Sequence, residues 1–197
     1  MADPAEYALP QHIDGVEVEI VILDRIVPII LETVEGCVVD IGIGRTTQII
    51  APHAKKFNRK HYSVDSNAGK CEFARRPEIT HSGHVICHMK SYTFMEDFND
   101  TPSLVLLDGN HNAEVVIAEA KFFVERMVPN GIMFLHDTCP MEYAYKRKLE
   151  TKNKEMDTYK ARHELEKMEG IDVLTWRYGV GFTMVLKKDR RVPHFRW

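Results

Sequence analysis

At 197 residues, with 44% hydrophobic and 28% charged side chains, the chain is long enough to bury one α/β core, and its longest apolar runs fall well short of a membrane span. A formal net charge of −3 offers no general attraction to nucleic acid or to an anionic membrane. The first ten residues show neither the basic nor the apolar region of a secretory leader. The four cysteines (Cys37, Cys71, Cys87, Cys139) show no C-x-x-C spacing, so reduced thiols and a cytoplasmic location are expected.

Residues 1–14, with Pro4 and Pro10, read as a flexible N-terminal arm. From Gly15 to Val34 apolar residues recur at spacings of three and four (Val16, Ile20, Leu23, Val27, Ile30, Leu31), which predicts a helix that Pro28 should kink or split. Cys37-Val-Val-Asp-Ile41 is a short apolar run of the kind that forms a strand covered on both faces. It runs into Gly42-Ile-Gly44 and then Thr46-Thr47, which can cap a helix reaching towards Phe57. The two glycines allow a tight turn and a close approach to the backbone. In an open parallel sheet, the crevice beyond this strand end is where a nucleotide-like ligand sits.

Two residues discriminate among such ligands. A dinucleotide site wants a third glycine where this chain has Thr47. Asp40, expected to point into the crevice, would repel a pyrophosphate and suit a cationic or ammonium group. The second strand, His61 to Asp65, ends in a carboxylate twenty-one residues after Gly44. An acid at about that distance can hold both hydroxyls of a ribose; the alternative is a helix cap shared with Ser66 and Asn67. A short helix follows from Asn67 to Arg75, then a turn region from Pro77 to Gly83. The third strand, His84 to Met89, delivers Lys90 and Ser91 to the same edge, where an adenine would lie.

Ser103 to Leu107 reads as a fourth buried strand, followed by Asp108-Gly-Asn-His111 and a helix from about Asn112 to Met127. Pro129-Asn-Gly131 closes that helix, and Ile132 to Leu135 is a fifth strand ending in His136-Asp137-Thr138. One βαβ unit therefore brings Asp108 and Asp137 side by side. Residues 141–169 are helical in character with mixed charge, and the triplet Lys146-Arg147-Lys148 is the one local basic cluster. Asp172 to Trp176 and Phe182 to Lys187 are a sixth and a seventh strand. Their short link permits an antiparallel pair but no right-handed crossover. Residues 188–197 form a basic, aromatic tail.

Asp40-x-Gly42-x-Gly44 resembles the first motif of class I S-adenosylmethionine-dependent methyltransferases. Leu107-Asp-Gly-Asn-His111 and Phe134-Leu-His-Asp-Thr138 resemble the Methyltransf_24 type within that class, with Asn110, Asn112 and Asn130 as departures. The resemblance runs from about Val34 to Lys187. It implies a Rossmann-like α/β fold with a seven-stranded, mostly parallel sheet, an antiparallel last strand and helices on both faces, formed as a single domain over residues 15–187.

It further implies S-adenosylmethionine as cofactor but says little about the acceptor; the leading reading is methylation, with or without metal assistance, at an oxygen of a small molecule or sugar. Asp40, Gly42 and Gly44 would line the cofactor's methionine end, Asp65 with Ser66 its ribose, Ser91 its adenine, and Asp108 would lie near the sulfonium. His111 or His136 can serve as the base, with Asp137 beside them. In related catechol-type and sugar enzymes the ends of the fourth and fifth strands carry metal-binding carboxylates. Asp108 and Asp137 match these as ligands of Mg²⁺ or another divalent cation, although Thr138 stands where an asparagine or aspartate is usual. The Pro28 helix and the aromatic tail are candidate contacts of a homodimer. Two other readings stay open: a hydroxylase-type relative on the same scaffold, and a non-catalytic module that keeps the fold. A nicotinamide-dependent dehydrogenase and a nucleic-acid methylase fit less well, given Thr47, Asp40 and the acidic balance.

Overall fold

Alternation decides the layers. On the fourth strand Leu104 and Leu106 turn to one face of the sheet, Val105 and Leu107 to the other, and all four are buried. A strand apolar on both faces has to be covered on both, which is the situation of a parallel sheet between helices. The computed structural model describes residues 15–139, 157–177 and 181–189. The N-terminal arm, the Lys146-Arg147-Lys148 triplet and the tail beyond residue 189 lie outside them.

In chain order the elements are α1 (Gly15–Thr33), β1 (Cys37–Ile41), α2 (Arg45–Lys56), β2 (His61–Asp65), α3 (Ala68–Ala74), β3 (His84–His88) and α4 (Ser91–Asp97). There follow β4 (Pro102–Leu107), α5 (Ala113–Arg126), β5 (Ile132–His136), α6 (Tyr159–Leu165), β6 (Ile171–Trp176) and β7 (Phe182–Lys187). The strand order is β3-β2-β1-β4-β5-β7-β6. β3 to β5 run parallel, and β7 lies antiparallel between β5 and β6. This is the expected seven-stranded, mostly parallel sheet with an antiparallel last strand.

One core joins Val39, Ile41, Val105 and Leu107 to Val116, Ala120 and Phe123 of α5 and to Ala161 and Leu165 of α6. The other joins Val38, Leu104, Leu106 and Phe134 to Leu23, Val27 and Leu31 of α1 and to Ile50 and Ala54 of α2. α1 is continuous through Pro28, so the split that was one of the two expected outcomes does not occur. The proline ring removes only the amide that the Asp24 carbonyl would accept. Leu23, Val27 and Leu31, all fully buried, pack the residues on both sides of it into one core. α4 was not anticipated, because seven residues are too few for periodicity to register. Among the described residues no helix is long and apolar enough to cross a membrane.

Strand β1 has β2 on one side and β4 on the other, so the connections leave its carboxyl end in opposite directions. That switch point opens a crevice, and every candidate residue of the sequence lies at or near it.

Candidate functional site

The glycine turn shapes the crevice. Gly42 has φ +99°, and a Cβ there would lie 2.6 Å from the Gly109 Cα and still closer to the Asp108 carbonyl. The β4–α5 connection packs against Gly42 where a side chain would stand, so a side chain at this position breaks the fold, while its backbone still borders the cleft. Gly44 differs, since a Cβ built on it meets nothing within 4 Å. It leaves open space beside the turn.

Asp40 does not point into the crevice, contrary to the sequence expectation. It lies on the sheet face towards α2 and is 0% exposed. One carboxylate oxygen accepts from Thr47 Oγ1 at 2.5 Å and from Ser63 Oγ at 3.5 Å, and Thr47 Oγ1 in turn accepts from the Gly44 amide at 3.0 Å. Asp40 therefore anchors the turn from behind. Burial pushes its carboxyl up to about 7, against the Thr47 hydrogen bond.

Asp65 does reach the crevice. Its Oδ2 accepts from the Ile43 amide at 3.0 Å and lies 3.2 Å from Lys70 Nζ, and its Oδ1 accepts from the Asn67 amide at 2.8 Å. A carboxylate has about four acceptor positions, so one remains for a ligand hydroxyl. The cleft it borders has a volume of about 360 Å³ and is lined by Gly42, Asp65, Ser66, Ser91, Tyr92 and Glu119, among others. That is within the range for a nucleoside-sized ligand. Glu119, on α5, was missed from sequence because its spacing matches the buried face of an amphipathic helix. It is 1% exposed, and neither oxygen has a hydrogen-bond partner. Burial raises its pKa; the nearby Ser91 hydroxyl favours the ionised form without making a well-directed bond.

Beside the cleft, the ends of β4 and β5 carry a cluster of three carboxyls and two imidazoles. His136 Nε2 lies 2.8 Å from Glu19 Oε2, and its Nδ1 faces Asp108 Oδ1 at 3.2 Å and Asp137 Oδ1 at 3.3 Å. Burial opposes a charge on His136, but hydrogen bonds to Asp137 and Glu19 and the Asp108 charge outweigh it and raise the pKa to about 10. Burial also raises Asp108, against the His136 charge. His136 is thus drawn towards the imidazolium, with Nε2 on Glu19 and Nδ1 facing two carboxylates, a setting that works against the base role expected for it. Glu19 comes from α1, far away in sequence, and no local pattern marks it.

His111 lies on the other side of Asp137, with Nδ1 3.0 Å from Asp137 Oδ2, and its side chain is 38% exposed. Asp157 and Thr158 hold its backbone: the Asp157 amide and the Thr158 hydroxyl both donate to the His111 carbonyl, at 3.2 Å each. Asp137 has φ +58°, a left-handed conformation that directs its carboxylate between the two imidazoles. Thr138 turns away and shares a hydrogen bond with Thr183 at 2.7 Å. Asp108 and Asp137, the proposed metal ligands, face the His136 ring, and among the described residues no three ligand atoms of this cluster converge as a metal ion requires.

A seven-stranded sheet of this order, with its cleft at the switch point, defines a Rossmann-like methyltransferase fold. The chain belongs to the Methyltransf_24 family, whose methyltransferase domain matches residues 39–138. Among solved structures it is similar to the O-methyltransferase from Bacillus cereus in complex with SAH (11% identity, TM-score 0.67, covering 93% of this chain and 86% of that one). It is also similar to cofactor-bound Rv0187 from MTB (13%, 0.66, 94% and 86%). A third is the N-methyltransferase NodS from Bradyrhizobium japonicum WM9 (10%, 0.55, 88% and 95%). Identities this low speak for the fold alone. Among curated proteins no match to the chain was found.

Proposed function

We propose that this protein is an S-adenosylmethionine-dependent methyltransferase that methylates an oxygen of a small-molecule or sugar acceptor. The observation that carries the reading is Asp65: a carboxylate fixed by two backbone amides at the end of β2, with acceptor capacity left over, on the wall of a cleft of nucleoside size. The B. cereus relative was solved with SAH, which fits the same reading.

The residues present suit the cofactor. Asp65 accepts from ribose hydroxyls. Glu119, with two partnerless oxygens, offers acceptors for the exocyclic amine of an adenine. The space beside Gly44 admits the methionine end. When bound, the cofactor supplies an electrophilic methyl group on a cationic sulfur. The three carboxyls around His136 favour that cation by charge. His111 takes the acceptor proton: its Nδ1–H donates to Asp137, which leaves Nε2 as the basic atom and fixes the ring's orientation. No step is routed through a metal.

The test is calorimetric titration of the protein with S-adenosylhomocysteine, with and without Mg²⁺. Micromolar binding is expected, indifferent to Mg²⁺. In Asp65→Ala it should weaken about 100-fold, the magnitude of one to two charge-assisted hydrogen bonds. Glu119→Gln, which leaves the turn untouched, should weaken it less. Absence of binding by the folded wild-type protein would return the chain to a non-catalytic module.

A further inference from the structure

At the amino ends of the strands, opposite the cleft, the sheet register places His61 beside His84, and the turn before β3 brings His81 onto them. The His61 and His84 rings stack at 4.3 Å and 1°, and His81 lies 5.4 Å from His84. Each ring offers one nitrogen within 4.8 Å of those of the other two, the one such convergence among the described residues. Three ring nitrogens, His61 Nδ1, His81 Nε2 and His84 Nδ1, are buried without any hydrogen-bond partner. A buried polar atom without a partner is costly, and three on one cluster call for an explanation.

We propose that His61, His81 and His84 form a binding site for a borderline divalent transition cation, of which zinc is the best match. An all-imidazole set suits zinc, copper or nickel and not magnesium or calcium.

The surroundings set the proton positions a metal needs. Ser63 Oγ lies 3.2 Å from His61 Nε2, 2.8 Å from His84 Nε2 and 3.5 Å from Asp40 Oδ2. A hydroxyl has two lone pairs and one proton. It accepts N–H from both rings and donates its own proton to Asp40. Both Nδ1 atoms are then bare lone pairs, and a hydroxyl–carboxylate pair orients the ligands from behind, as outer-shell partners of metal sites do.

The parallel His61 and His84 rings direct their lone pairs side by side, so one of them has to turn to share an ion, and His81 has a tautomer to change. Its Nδ1 accepts from the Gly83 amide at 3.2 Å, so Nε2 carries the ring proton. Coordination at Nε2 moves that proton to Nδ1 and releases the amide in a partly exposed turn. The three nitrogens also close to about 3.3 Å apart, as tetrahedral Zn–N bonds of 2.0–2.1 Å require, with solvent as fourth ligand. Bound there, zinc pins β3, the edge strand, to β2.

The proposal is tested on the full chain, stripped with a chelator, by zinc calorimetry and metal analysis. One zinc per chain is expected, with affinity at least 100-fold weaker in His81→Ala and 10- to 100-fold weaker in Ser63→Ala, and unchanged in His111→Ala. His81 sits in a turn, so its variant should keep the wild-type circular dichroism. Cobalt(II) titration of the unmutated protein provides a check that needs no variant: a strong visible band of a four- or five-coordinate site is expected. Failure to bind zinc, equal affinity in His81→Ala, loss in His111→Ala, or only the pale spectrum of the aquo ion would each overturn the proposal.

Discussion

At the carboxyl edge of the sheet His136 sits among three carboxyls; at the amino edge His61, His81 and His84 sit among one another. The same side chain is held charged in one place and neutral in the other. Burial disfavours the imidazolium in both. What differs is the neighbour: anions outweigh burial at His136, whereas imidazoles reinforce it at His61 and His84. Chemistry follows from that. A ring held charged offers no lone pair, whereas a ring held neutral keeps one.

The largest expected effect comes from breaking the charged cluster. His136→Ala leaves Glu19, Asp108 and Asp137 facing one another without a cation and should destabilise the protein by about 3–5 kcal/mol at pH 7, read by urea unfolding. A smaller loss in that variant would mean that the carboxyls had already been protonated.

The pH profile sharpens the contrast. His136 has a raised pKa, so its contribution to stability is complete below about 6.5 and is lost as the pH rises through about 10. His84 has a pKa lowered to about 4, so its contribution is complete above about 6.5 and is lost as the pH falls through about 4. These two histidines by themselves place a stability maximum near pH 6.5 in chemical denaturation of the metal-free protein, and buried carboxyls with raised pKa shift it to the acid side. His136→Ala should remove the alkaline decline.

Asp40 works against the acid side of that curve. Its pKa is raised from 3.8 to about 7, so the native state holds its proton more tightly and stability falls as the pH rises across that window. Asp40→Asn should abolish a slope of at most about 1.4 kcal/mol per pH unit. An unchanged profile would show that Thr47 and Ser63 already stabilise the carboxylate.

The smallest effect is expected at the neutral stack. His84→Phe keeps the ring and loses the Ser63 bond, which should cost about 0.5–1.5 kcal/mol in the absence of metal and flatten the acid limb. A loss as large as that of His136→Ala would erase the distinction between the two edges.

The sequence by itself determined the strands, the glycine turn, the placing of Asp65 and the family, because these depend on local features: apolar runs, alternation, φ at a glycine and spacing along one βαβ unit. Asp108, His111, His136 and Asp137 were legible as neighbours for the same reason. Their roles were not, because the proton on His136 depends on Glu19 from α1, more than a hundred residues away in the chain. Asp40 was read into the cleft, although a strand alternates and only the pairing of β1 with both neighbours shows which face each side chain takes. Glu119 looked like one more position of an amphipathic helix until the sheet closed over it. His61, His81 and His84 carry no metal-binding spacing, and the parallel register of β2 and β3 alone makes neighbours of His61 and His84. Local chemistry wrote the elements, whereas tertiary contacts decided which charges meet and which histidines lie among carboxyls or among one another.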